Sequence, residues 1–228
     1  MLFPSLTISN SLLSDLPFRG RGSIPDTYTQ FRKDVESKSR VRPLIQTPAS
    51  LPSLPEGLEV GEIPSLQSLV EASDYQADPR SAFPFTGGET SGLERLHYYL
   101  WTSDCVAKYK ETRNGLVGQD YSTKFSPWLA AGCLSPRQIY WEIKKYEEKR
   151  VGNQSTYWVI FELLWRDYFK MVCFKYGDSV FYETGIQNKK LPWSQVRKSV
   201  IPVSLLSFTE GQDQVRRLAE WHDRCPLC

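Results

Sequence analysis

Apolar positions recur with helical spacing over most of the second half of this chain, whereas much of the first half has no period. Tyr28, Phe31 and Val35 lie three and four residues apart behind Asp26, which predicts a helix with Asp26 as N-cap, ending near Ser39. From Pro43 to Pro84 seven prolines, with several Gly and Ser, break any regular run, so this stretch reads as a connector. Helical spacing resumes at Gly87. Ser91-Gly92-Leu93-Glu94 has the form of a capping box, and Leu93, Leu96 and Leu100 make the stripe of a helix running to Lys110. Ser126-Pro127 and Ser135-Pro136 read as N-caps followed by proline at the first helical position. The second of these opens a helix to Arg150 with Ile139, Ile143 and Tyr146 inward and a Lys/Glu-rich outer face. A last helix runs from Ser155 or Thr156 to Tyr176, where Gly177 stops it. No strand-like alternation and no internal repeat is found, so the fold class is all-α.

The last helix contains a conflict. Trp158 to Phe169, W-V-I-F-E-L-L-W-R-D-Y-F, is apolar and aromatic nearly all round, yet carries Glu162, Arg166 and Asp167. Apolar burial gains about 25 cal/mol per Å². Burying a charge costs several kcal/mol unless it finds a partner. Two readings fit: a core helix with a surface charge cluster, or a wall facing a flat polar ligand, since aromatic faces beside an arginine fork suit a flavin ring or a base. Upstream, the hydroxyls of Ser122, Thr123 and Ser126 with the Lys124 ammonium make a phosphate cradle if Ser126 starts a helix; two ordinary helix starts are the other reading.

Composition narrows the classes. At 228 residues one or two domains are expected, and a net charge of +2 gives no strong nonspecific pull on nucleic acid. Seven Trp, twelve Tyr and eleven Phe suit cofactor or base stacking, or a large core. Five Cys without framework spacing favour a reduced compartment. No run approaches a membrane span, and Met1-Leu2-Phe3-Pro4 lacks the basic start of a secretory signal.

The segments Ser122 to Arg137 (S-T-K-F-S-P-W-L-A-A-G-C-L-S-P-R) and Thr156 to Phe169 resemble the flavin domain of the photolyase/cryptochrome family, in the wording of its cryptochrome DASH branch. Asp15-Leu16-Pro17-Phe18 and Ile24 to Lys33 carry the same likeness, which runs from about Ser14 to Gln195. The resemblance implies a helical FAD-binding domain. It assigns residues 1–86 to an N-terminal helix and Pro-rich connector, 87–195 to the first half of the FAD domain, and 196–228 to a non-family tail. It implies flavin contacts by Tyr109, Ser122, Thr123, Lys124, Phe125, Ser126, Glu162, Trp165, Arg166 and Phe169, with Arg166 beside the ring and the phosphate and ribityl groups at Tyr109 and Ser122 to Ser126. Where the family often has Arg, this chain has Lys124, a point charge without the bidentate fork.

In photolyases of the family a reduced flavin donates an electron, under blue light, to a cyclobutane pyrimidine dimer; photoreceptor members signal instead. For Glu162 and Trp165 the resemblance implies contact with the flipped dimer, by hydrogen bonding and by stacking. The implied partner is single-stranded, dimer-containing DNA, the expected state a monomer, and the compartment intracellular, with chloroplast or mitochondrion open. The family's antenna pterin, methenyltetrahydrofolate, belongs to a domain not expected here.

After Leu191-Pro192-Trp193-Ser194-Gln195 the likeness stops. Read one base out of frame, Asp213 to Cys228 can encode a peptide with the family's next Trp, Gly, Thr-Gly and Pro spacing. Val196 to about Glu210 therefore reads as intron-derived and the rest as frame-shifted, which also empties His222-x-x-Cys225-x-x-Cys228 of meaning as a zinc site. A chain with one wall of the flavin pocket is expected to bind flavin weakly or not at all. The competing readings are a non-catalytic truncated isoform acting as a binding module, and a helical nucleic-acid-binding fragment.

Overall fold

A computed structural model of the chain describes residues 16–59, 61–69 and 81–192. Among these residues every regular element is helical and no strand occurs. The chain divides into two compact units. Of the described residues, those between 41 and 163 form the first, and 16–40 with 164–192 form the second.

In the second unit, α1 (Tyr28–Lys38) buries Tyr28, Phe31 and Val35, the face its spacing predicts. Its N-cap is Thr27, one residue later than expected, and no side chain caps it. Asp26 is drawn away from capping: its carboxylate accepts from Lys175 Nζ at 2.5 Å and from the Tyr176 hydroxyl. Phe18 stacks on Phe31 at 5.5 Å, and Phe31 meets Tyr168 at 5.4 Å. The Tyr168 hydroxyl donates to the Asp26 carbonyl at 2.6 Å.

In the first unit, the described residues of the Pro43–Pro84 stretch are almost all exposed and irregular, apart from the four-residue α2 (Leu66–Leu69). α3 (Glu89–His97) starts two residues before the expected capping box. Gly88 is its N-cap, at φ 94°, a conformation that only glycine adopts without strain. The helix does not run on to Lys110. It loosens into a π turn (Tyr98–Thr102), breaks at left-handed Asp104, and resumes as a 3₁₀ turn (Cys105–Lys108) and the short α4 (Tyr109–Thr112). The break is stabilised from outside the segment: Tyr146 donates to the Asp104 carboxylate at 2.9 Å, Arg150 also pairs with it, and Arg150 donates to the Trp101 carbonyl at 2.8 Å. Leu96 and Leu100 of the expected stripe are buried, and Leu93 is half-buried.

α5 (Ser126–Ala131) has Phe125, not Ser126, at its N-cap, so Pro127 sits one position further in than expected. The following Gly132 takes φ 77° and closes it. α6 (Pro136–Lys149) has Ser135 as N-cap and buries Ile139, Ile143 and Tyr146 as the pattern requires. Gly92 of α3 faces Trp128 and Leu134 so closely that a Cβ would lie 3.0–3.1 Å from them.

α7 (Gln154–Tyr176) gives its first ten residues to the first unit and the rest to the second. Its start is capped by Asn153, whose Oδ1 accepts from the amides of Ser155 (2.8 Å) and Thr156 (3.0 Å). Thr156 Oγ1 accepts in turn from the Asn153 amide at 3.1 Å and donates to Glu147 at 2.7 Å. Ser155 accepts from the Lys110 amide and donates to Glu111, so its buried hydroxyl joins α4 and α7. Gly177, at φ 56°, ends the helix as expected. The tail from Val196 to Cys228, with its His222, Cys225 and Cys228, lies outside the described residues. Among those described, no cluster of metal-ligating groups occurs and no helix is long and apolar enough to cross a membrane.

Candidate functional site

The first unit brings Tyr109 and the loop Ser122–Ser126 around a common aromatic cluster. Tyr99 is fully buried and meets Tyr109 edge-on at 6.5 Å and Phe125 edge-on at 6.0 Å. Phe125 is therefore a core residue that fixes the end of the loop. Burial, with the Glu162 carboxylate adding to it, pushes the Tyr109 hydroxyl up to about 12, so it stays a neutral donor at any ordinary pH. The Tyr99 hydroxyl is buried and has no hydrogen-bond partner among the described residues.

The loop itself hangs from Arg95, a residue the sequence reading passed over. Only 6% exposed, Arg95 donates from Nε to the Thr123 carbonyl (3.1 Å) and from Nη2 to the carbonyls of Gln119 (2.9 Å) and Ser122 (3.1 Å). Its Nη1 pairs with Asp120 at 2.9 Å. The available signal was an arginine on the apolar side of α3, next to Leu96 and one turn from Gly92. A charge there requires a partner. Lys124 takes a left-handed φ of 60° and lays its ammonium 3.7 Å from the centre of the Tyr121 ring, bonded also to the Tyr121 hydroxyl. Ser122, Thr123 and Lys124 are all part-exposed. The six-residue α5 begins beside them, but with Ser126 inside it the expected N-cap cradle is not formed.

Glu162, also of the first unit, pairs with Arg113, whose guanidinium lies 4.6 Å over the Trp158 ring. The charge on the aromatic helix thus has its counterion. In the second unit, Trp165 stacks on Tyr28 at 3.6 Å with rings 10° from parallel, and meets Phe169 at 5.4 Å. One face of the indole is covered by its own fold. Phe169 is 59% exposed, and Arg166 lies 4.0 Å from Asp167.

The chain is 60% identical to a cryptochrome DASH of Danio rerio over 180 residues and 58% identical to one of Xenopus laevis over 181, each match covering 79% of this chain. The matched four fifths of this chain belongs to the cryptochrome DASH branch of the photolyase/cryptochrome family. A solved cryptochrome from Synechocystis sp. PCC6803 superimposes with a TM-score of 0.75 at 48% identity, over 83% of this chain and 38% of that one. The helical architecture is that of the corresponding part of the cryptochrome fold. The chain spans about a third of the length of the curated relatives it matches. No family profile matches it. The likeness to cryptochrome DASH and the all-helical class were both legible in the sequence.

Proposed function

We propose that this chain carries part of the FAD-binding site of a cryptochrome DASH, with Ser122–Ser126 and Tyr109 as the phosphate and ribityl side. The observation that carries the proposal is the donor set of the loop. Thr123 and Lys124 offer backbone amides with no acceptor among the described residues, beside the hydroxyls of Ser122 and Thr123 and the Lys124 ammonium. Donors of this kind, with no carboxylate from within 121–126, fit a pyrophosphate. The group itself, when bound, supplies light-driven electron transfer. The protein's share is to hold the phosphates, to keep Tyr109 neutral, and to place aromatic surface around the ring.

Arg166 and Phe169 are proposed as ring-side contacts. Glu162 and Trp165 are each proposed, from the resemblance, as contacts for a pyrimidine dimer in single-stranded DNA. Residues 43–84 are proposed as the connector preceding this domain. Repair of such DNA under blue light is the activity this reading implies for the whole protein.

Titration of the purified chain with FAD and with riboflavin, read by flavin fluorescence anisotropy, tests the phosphate assignment. Three or four charge-assisted bonds, at about 1.5–3 kcal/mol each, stand against an association cost of about 4–15 kcal/mol. Weak FAD binding is expected, on the order of 10–100 μM, with riboflavin at least about tenfold weaker. Equal binding of the two would remove the phosphate loop from the site.

A further inference from the structure

Arg95 occupies the centre of this loop without belonging to it. Its four hydrogen bonds reach Gln119, Asp120, Ser122 and Thr123, three of them to backbone carbonyls. The guanidinium is also enclosed by rings, 4.9 Å from the centre of Phe83, 5.1 Å from Tyr99 and 5.5 Å from Tyr98. A buried cation with so many fixed partners holds one conformation of what surrounds it. Breaking any of its bonds takes a partner from a buried charge.

The consequence for the loop follows from peptide geometry. In a trans peptide the carbonyl and the next residue's N–H point in opposite directions. The carbonyls of Ser122 and Thr123 point at Arg95, so the amides of Thr123 and Lys124 point away from it. Neither amide has an acceptor among the described residues, and the same is true of the neighbouring amides of Tyr121, Ser122 and Phe125. Lys124 completes the arrangement at φ 60°, the left-handed turn that lets successive amides converge on one anion. Without the guanidinium the three carbonyls would turn to water and the two amides would lose their common direction.

We propose that Arg95 is a positioning residue for the flavin pyrophosphate: it touches no part of the ligand, and sets phosphate affinity by holding Ser122 and Thr123 with their amides outward. The proposal rests on the FAD reading above. Lysine cannot replace it, because a single ammonium has three donors at one point and cannot span four acceptors held around a planar fork.

The test is Arg95→Lys in the 228-residue chain, with two readouts. The first is the backbone amide order parameter from NMR relaxation. Values at 119–124 are expected to fall from about 0.85 to below about 0.6, with α6 unchanged. The second is the same pair of titrations, with FAD and riboflavin as probes. FAD affinity is expected to fall at least about tenfold while riboflavin binding stays within about twofold, a split that general destabilisation would not produce. Unchanged order parameters at 119–124 would overturn the clamp. Lower order parameters with unchanged FAD affinity would overturn its link to the cofactor while leaving the FAD reading intact. If the unsubstituted chain binds neither flavin, the FAD reading fails first and the proposal falls with it.

Discussion

Several side chains do work that their residue type alone does not announce. Asp26 looked like a helix cap and is instead an acceptor for Lys175 and Tyr176. The Lys175 ammonium and the Tyr176 hydroxyl hold its carboxyl below the usual carboxylate range. A group whose folded pKa is depressed stabilises the fold above its ordinary value, near 4, and loses that contribution as pH falls through the folded value. Asp26→Asn should therefore lower stability at pH 6–7 and flatten the loss of stability below about pH 4, as followed by tryptophan fluorescence. An acid transition identical to the unsubstituted chain's would mean that the pair contributes nothing. Trp165 and Arg95 mark the limits of reading residues singly. The indole stack on Tyr28 joins positions 28 and 165, and the Arg95 clamp joins α3 to a loop 24–28 residues away. Neither pairing leaves a periodic trace in the sequence. Only the anomaly of a charge on an apolar face was visible, and it was read at Glu162 and Arg166 but not at Arg95.

At the level of elements, the interior faces were legible and the ends were not. Tyr28, Phe31 and Val35, and again Ile139, Ile143 and Tyr146, are buried on the faces that helical spacing gives them. Helix starts shifted wherever the capping side chain had a stronger distant partner, as with Asp26, or where a glycine turn began earlier, as at Gly88. The break after His97 was hidden because its stabilising groups, Tyr146 and Arg150, come from α6 and its end. The start of α7 concentrates these effects. Asn153 caps two amides and also donates to the Ala107 carbonyl at 2.9 Å, so Asn153→Ala removes three bonds at once. A loss of about 1–2 kcal/mol is expected, with a fall in Tm of roughly 2–4 °C per kcal/mol. Asn153→Asp keeps the two cap bonds and should recover most of the loss. If both substitutions leave Tm unchanged in a thermal melt, the cap is not what holds this helix end.

For the molecule as a whole, family membership rests on 60% and 58% identity to two vertebrate cryptochrome DASH proteins and on the match to a solved cryptochrome, over about a third of their lengths. A net charge of +2 leaves little long-range attraction for nucleic acid, so any DNA affinity must come from local contacts. The central claim is that the loop Ser122–Ser126, with Tyr109 nearby, receives the phosphates and ribityl chain of FAD. Hydrogen exchange with and without saturating FAD tests it most directly, because the expected footprint is short and specific. Added FAD should slow exchange at the amides of Thr123 and Lys124, and of Tyr109 to Arg113, while the outer face of α6 is unaffected. Protection absent from 122–126, with FAD demonstrably bound, would contradict the account.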